Sequence, residues 1–304
     1  RPEPTPEPRD PGRDDVTPVA AIGLEVGYRL IPLVDKNQGG QLMARIKGVR
    51  KKLTNELGFL IPSVHIRDNL DLSPNAYRIS LMGVVVGESE IHPERYLAIN
   101  SGNVFGKLQG IPGKDPAFGL EAVWVESALR DQAQTMGYTV VDASTVVATH
   151  LSQVLQDHAH EILGREEVQH LLDNLGKSSP KLVEDLVPNT LPMGVVLQVL
   201  RNLLEERIPI RDMRTIAETL AAHGRQSQDS AALTTSVRTS LSRLIYQQIN
   251  GISNDLTVIT LDSTLEQILL NTLQTSGESE PVFEPRLAER IHRSLADAVQ
   301  KQEV

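Results

Sequence analysis

Apolar positions recur along residues 42–57 at Leu42, Ile46, Val49, Leu53 and Leu57, while Arg45, Lys47, Arg50, Lys51 and Lys52 occupy the other faces. Steps of three and four place one stripe on a helix, so an amphipathic helix is expected between Gln38-Gly39-Gly40 and a stop at Gly58, with the basic residues as its solvated face. Upstream, Ile22 to Leu33 reads as extended with a break at Pro32. Downstream, Ser63–Arg67 and Tyr77–Val86 read as strands separated by the turn-forming Ser73-Pro74-Asn75. The tight apolar run Leu81–Val86 reads as a buried strand. Strand and helix alternating in this way favour an α/β layer.

From Glu94 to Asp142 the texture changes. Arg95–Asn100 is strand-like, the glycine-rich stretch Ser101–Gly119 reads as a long ordered loop, and Glu126–Met136 as a short helix ending near Gly137. Tyr138–Val141 is β-rich, and Trp124 reads as core. Ser144 is the expected cap of a longer helix that turns Val147, Leu151, Val154, Leu155 and Ile162 inward. After Gly164 the pattern is helical over Arg165–Leu175, Lys181–Leu186, Leu191–Arg207, Arg211–His223 and Ala231–Ile249. Arg211, Asp212 and Arg214 read as capping and helix-pairing groups. A strand at Leu256–Leu261, a helix at Ser263–Gln274, a charged loop at Gly277–Pro285 and a helix at Arg286–Gln300 complete the pattern.

Length and composition narrow the class. A chain of 304 residues is long for one core, which suggests several small domains. Aromatics are only 3% of residues, so aliphatic side chains carry the packing. A formal net charge of −9 disfavours a nucleic-acid surface. With no cysteine there are no disulfides, no thiol chemistry and no cysteine zinc site, in keeping with a reducing compartment. No stretch approaches the roughly 20 apolar residues of a membrane helix. The proline-rich start, Arg1 to Pro11, reads as a semi-stiff tether cut from a longer protein.

Each catalytic signature fails on its spacing. Gly113-Lys114 invites a phosphate-loop reading, but position 108 is Leu where glycine is needed, and Asp115 follows where Ser or Thr should stand. An acid there repels phosphate. His160-Glu161 starts like a zinc-hydrolase helix, yet the second histidine position is Gly164. His150, His158 and His160 are wrongly spaced to share a metal and read as surface or capping histidines. No Gly-x-Ser-x-Gly elbow exists. The expectation is a protein that is not an enzyme and holds no cofactor or metal.

Several long words in order do carry a resemblance: Leu24 to Asp35, Gly58-Phe-Leu-Ile-Pro-Ser-Val-His to Asn69, Asp115-Pro-Ala-Phe-Gly-Leu120, Val140 to Leu151, Glu184 to Pro188 and Ile208 to Ile216. In these the chain resembles the flagellar branch of the FHIPEP family, the export-gate membrane proteins of type III secretion. The resemblance implies a linker at 1–20 and a first α/β domain at 21–93 resumed at 143–162. It implies an inserted α+β domain at 94–142, a helical domain at 163–242 and the start of a truncated α/β C-terminal domain at 243–304. The implied fold class is thus mixed α/β and multi-domain.

It further implies a docking platform on the cytoplasmic face of the bacterial inner membrane, soluble in this part and anchored by the rest of the parent protein. Its implied partners are flagellar export chaperones with their late substrates, components of the export ATPase complex, the hook-length control protein, and eight further copies in a nine-membered ring. The chaperone site carried over by the resemblance centres on Asp115, Phe118 and Thr149, with an apolar floor of Leu97, Ile99, Leu120, Val141 and Val146. One floor position, where the family has proline, is Ser101 here.

The residues themselves bear on that role. Phe118 lies two residues after Pro116 and just before Gly119, so its ring can stand exposed as an anchor, with Asp115 accepting a partner's hydrogen bond. Read without the resemblance, Phe118 is core, Asp115 a turn former and Thr149 a solvent-facing helix residue. Three rivals remain at this point. They are the homologous gate of a virulence injectisome, a nucleotide hydrolase using Gly113-Lys114, and a ring component whose cleft has no client.

Overall fold

The computed structural model describes residues 18–35, 40–253, 255–276 and 284–302. Most of the expected tether (1–17) and most of the expected charged loop (277–283) lie outside them. The chain divides into two compact units, one ending at Ile245 and the other beginning at Tyr246.

The first unit opens with β1 (Ile22–Val26), which ends sooner than its extended pattern suggested. A 3-10 turn at Tyr28–Leu30 and a one-turn helix α1 (Ile31–Val34) follow, because Pro32 sits in the first helical turn, where its missing N–H costs nothing. Helix α2 (Gln41–Leu57) buries Leu42, Ile46 and Leu53 as the spacing required. Gly58 stops it with φ +97°, and a Cβ there would stand 2.5 Å from the Arg211 backbone nitrogen. Glycine therefore serves both the left-handed cap and the close approach of a distant segment.

Strand β2 (Val64–Asp68) pairs parallel to β1 through the α2 crossover. The long strand expected at Tyr77–Val86 is two strands, β3 (Ala76–Leu81) and β4 (Val84–Glu90), reversed at Met82-Gly83. Both turn residues have positive φ, 49° and 82°, the backbone of a tight two-residue hairpin. The first sheet runs β2-β1-β3-β4. As β4 is its edge, Val84 and Val85 are exposed, against the buried strand expected there. Glu25 of β1 is buried and accepts hydrogen bonds from Arg67 and, at 2.7 Å, from Asn69 Nδ2. These donors hold its carboxyl below the usual carboxylate range.

The second sheet runs β6-β7-β5-β8, all antiparallel, from β5 (Tyr96–Ile99), β6 (Ile111–Lys114), β7 (Glu121–Val125) and β8 (Thr139–Asp142). The stretch expected to be loop thus contains an edge strand, β6, where Pro112 is tolerated. Strict alternation sorts its two faces. Leu97, Ile99, Ala122, Trp124 and Val141 join the main core, while Ala98, Val123, Val125 and Val140 are covered by Leu108, Leu129 and Ala133. Ala133 belongs to α3 (Arg130–Thr135).

Helix α4 (Ala143–Asp157) is capped by Asp142 and not by Ser144, which is buried in the first turn. Asp142 Oδ1 accepts the Thr145 N–H at 2.7 Å, and Oδ2 accepts from Arg45 of α2 at 2.6 Å. One carboxylate thus starts α4 and ties it to α2. Val147, Leu151, Val154 and Leu155 face inward, and Ile162 does so from the separate α5 (Ala159–Ile162).

The helical remainder comprises α6 (Arg165–Gly176), α7 (Pro180–Glu184), α8 (Met193–Glu205), α9 (Met213–His223) and α10 (Ser230–Ser240). The segment expected to be helical to Leu186 gives way at Asp185 to a wide turn containing Pro188. Asp212 caps α9 by accepting the Thr215 N–H at 3.1 Å, and Arg214 pairs with Glu218. The single helix expected at Ala231–Ile249 breaks at Leu241, and α11 (Ser242–Asn250) follows.

In the second unit the described residues form helices only, α12 (Ser263–Ser276) and α13 (Pro285–Gln302) after the end of α11. The strand expected at Leu256–Leu261 is absent. Among the described residues this unit has no strand with which it could pair.

Candidate docking site

The β6–β7 hairpin turns through Asp115–Leu120. The Asp115 N–H donates to Leu120 O and the Gly119 N–H to Asp115 O, both at 2.8 Å. The Phe118 N–H donates to Asp115 Oδ2 at 2.9 Å. Gly119 has φ +71°, which lets the chain return into β7. Asp115 is 2% exposed and Phe118 63% exposed. The carboxylate is thus turned inward and braces the turn through Oδ2, where an exposed group offered to a partner was expected. It shapes the loop that displays the ring. Of the two readings of Asp115 from sequence, turn former is the one this geometry matches.

The floor residues divide in the same way. Leu97 opposes Val141 across β5 and β8, and Ile99 lies one step along the same face. Leu97 and Val146 are fully enclosed, so they support the surface from beneath and cannot touch a partner. Ile99 and Val141 are half-buried, Leu120 is exposed beside Phe118 in sequence, and Thr149 is half-buried on α4. Ser101 stands at the exposed rim with its hydroxyl 3.1 Å from that of Thr139.

Three residues of this region were missed or misread from sequence. Phe105, 78% exposed, stands on the loop that leaves β5, its N–H bonded to Met136 O at 2.8 Å. Its signal was an aromatic just before Gly106 in a glycine-rich stretch. The others are Tyr77 and His150. His150 is not the surface histidine expected. It is buried, with Nδ1 2.7 Å from the hydroxyl of the fully buried Tyr77 and the rings edge to face. Burial lowers the His150 pKa and the nearby Asp115 charge opposes the shift. Burial, with the same charge adding to it, raises that of Tyr77. The two groups share this hydrogen bond inside the fold, and Ser89 also bonds the Tyr77 hydroxyl.

The catalytic candidates stay apart. Gly113-Lys114 lies in edge strand β6, with Lys114 paired to Glu121 across the hairpin, and no helix N-terminus follows to hold a phosphate. His158 bonds Glu161. Among the described residues no three metal-ligating side chains converge, and no helix is long and apolar enough to cross a membrane.

Comparison with known proteins agrees with this architecture. Residues 2–304 match the FHIPEP family. The flagellar biosynthesis protein FlhA of Escherichia coli is 50% identical over 291 residues, which cover 96% of this chain and 42% of that protein. The chain therefore spans about two fifths of the length of such relatives. Among solved structures, the Chlamydia pneumoniae CdsV protein superposes with a TM-score of 0.80 at 25% identity, covering 94% of this chain and 84% of its own. The nonameric EPEC SctV-C has the same fold, with a TM-score of 0.72 at 21% identity over 93% and 84% of the two chains. The mixed α/β fold and the sequence together make this chain a member of the FHIPEP family.

Proposed function

We propose that the chain is the partner-docking part of a flagellar type III export gate, receiving export chaperones loaded with late substrates and ordering their delivery. It acts by binding and carries out no reaction. The observation that carries this reading is Phe118, an aromatic largely in water on a turn held by three hydrogen bonds to Asp115 and Leu120. A side chain carried on an ordered turn loses less entropy when a partner covers it, because the backbone beneath it is already fixed. Leu120, two residues on, is also exposed, and Ile99 and Val141 are half-buried on one face of the second sheet.

The same reading includes components of the export ATPase complex and the hook-length control protein as partners, and a ring of nine copies at the cytoplasmic face of the membrane. The nonameric assembly of a protein with this fold supports the ring. Calorimetric titration with a flagellar chaperone bound to its late substrate tests the proposal. Micromolar binding that is lost in Phe118→Ala is the expected result. Equal affinity in both proteins removes the site assignment.

A further inference from the structure

Two of the segments that carry the family resemblance, Gly58 to Asn69 and Ile208 to Ile216, lie outside the docking site, and they meet in the fold. The Ile210 N–H donates at 2.9 Å to the carbonyl of Leu57, the last residue of α2. That carbonyl is one of the final four in the helix, which have no donor within it. A Cβ at Gly58 would stand 2.5 Å from Arg211 N, 2.7 Å from its Cα and 2.8 Å from Ile210 C. All three are backbone atoms, which cannot swing aside as the end of a side chain can. Phe59, Ile61, Ile208 and Ile210 are buried together in the main core.

The same stretch reaches two more helix ends. Arg201 of α8 donates from Nε and Nη2 to Leu163 O, just past α5, at 3.0 and 2.9 Å. Arg207, two residues beyond α8, donates from Nη2 at 2.5 Å to Oδ1 of Asp157, the last residue of α4. Arg207 holds a φ of +59°, a backbone that residues with a Cβ resist. Helix C-termini carry partial negative charge and unmet carbonyls, so guanidinium and amide donors suit all three places. Residues 201–210 thus hold the C-terminal ends of α2, α4 and α5 at once.

We infer that residues 201–211 form a clasp that joins α2, α4 and α5 to the helical remainder as one rigid body, and that Gly58 is the position on which it closes. The boundary implied by the resemblance between residues 162 and 163 is then a fastening and not a hinge. Both sides of it lie in one compact unit, in keeping with this. The inference does not rest on the docking reading.

The experiment uses the whole chain carrying Gly58→Ala, Arg201→Met or Gly48→Ala, with two readouts on each. One is hydrogen exchange at the Ile210 amide, compared with amides of β3 and α10. The other is the rate of limited trypsin cleavage after Arg207 and Arg211, which follows the population in which the stretch is released. In Gly58→Ala both are expected to rise about tenfold, with β3 and α10 unchanged. Arg201→Met keeps the stem of the side chain and deletes the donors to Leu163 O, and a rise of about threefold is expected. Gly48→Ala lies in the same helix with nothing within 4 Å of the new Cβ, and should match the parent in both. Unchanged exchange and cleavage in Gly58→Ala overturn the inference, as does a rise shared equally by β3 and α10, which marks a general loss of stability. A rise confined to the last turn of α2, with Ile210 still protected, traces the effect to strain at the left-handed cap and overturns it too. Should Gly58→Ala fail to fold, Arg201→Met decides alone, and parent values there sink the clasp.

Discussion

The two sheets each end in a tight hairpin that exposes apolar side chains, and they do so by different means. At the tip of β3–β4 the reversal is made by backbone alone, through Met82 and Gly83 at positive φ, and it leaves Val84 and Val85 open along a sheet edge. In β6–β7 the reversal also uses a positive φ, at Gly119, but a side chain braces it. Asp115 is buried in the turn, and one aromatic ring stands out from it. The first arrangement leaves a row of small apolar groups with nothing to define a point of contact. The second displays a single large anchor whose backbone is fixed. Fixing the backbone that carries the ring is what suits it to recognition, since an anchor on an ordered turn gives up less freedom on binding.

The comparison can be broken at several points. The largest effect is expected for Phe118→Ala, which should weaken chaperone–substrate binding by about thirtyfold, the equivalent of about 2 kcal/mol, without altering the unfolding curve. Val84→Thr, on the other hairpin, should leave calorimetric affinity unchanged. A comparable loss there would erase the distinction between the hairpins. Next comes Asp115→Ala, which frees the Phe118 N–H and should cost about 1–2 kcal/mol in urea unfolding as well as affinity. Asp115→Asn retains an acceptor and should lose less of both.

Gly83→Ala attacks the backbone-built turn instead. At φ +82° an alanine is strained, and a loss of about 1 kcal/mol in urea is expected with binding intact. The smallest effect concerns Glu25 beneath the first hairpin. Its folded pKa lies below the ordinary value of 4.5, so its contribution is present above that pH and lost as pH falls through the folded value. Glu25→Gln should therefore destabilise by about 1 kcal/mol or less at neutral pH, since Arg67 is largely in water, and the difference should vanish in acid. A difference that persists in acid would assign the effect to packing.

What could be read from the sequence follows the physics of each element. Helix α2 was legible because a three-and-four apolar spacing and a following glycine are local signals. The reversal at Met82 was not, since methionine is an unusual residue at positive φ and the apolar run continues through it. Strand β6 was hidden by Ile111-Pro112-Gly113, a composition that a strand accepts only at an edge, and being an edge is a tertiary property. The exposure of Phe118 was expected from the family resemblance and its loop context, while the residues alone read it as core. The burial of Asp115 was not found, because a carboxylate is seldom enclosed and only the folded turn supplies its donors. Leu97 and Val146 were placed in the right layer and at the wrong depth. Depth depends on what packs above, which no local pattern records.

The strict alternation in β5 sets where this molecule can change its length. Leu97 and Ile99 turn to the main core, and Tyr96 and Ala98 turn to the opposite face. Losing or gaining one residue inside this strand would turn the second sheet inside out. A change of length is accommodated with less disturbance in a connection such as the 101–110 loop than inside the strand. That loop and the 115–120 turn carry the exposed rings of Phe105 and Phe118. The register of the layer beneath is thus held by the strands, while the exposed rings stand on the connections between them.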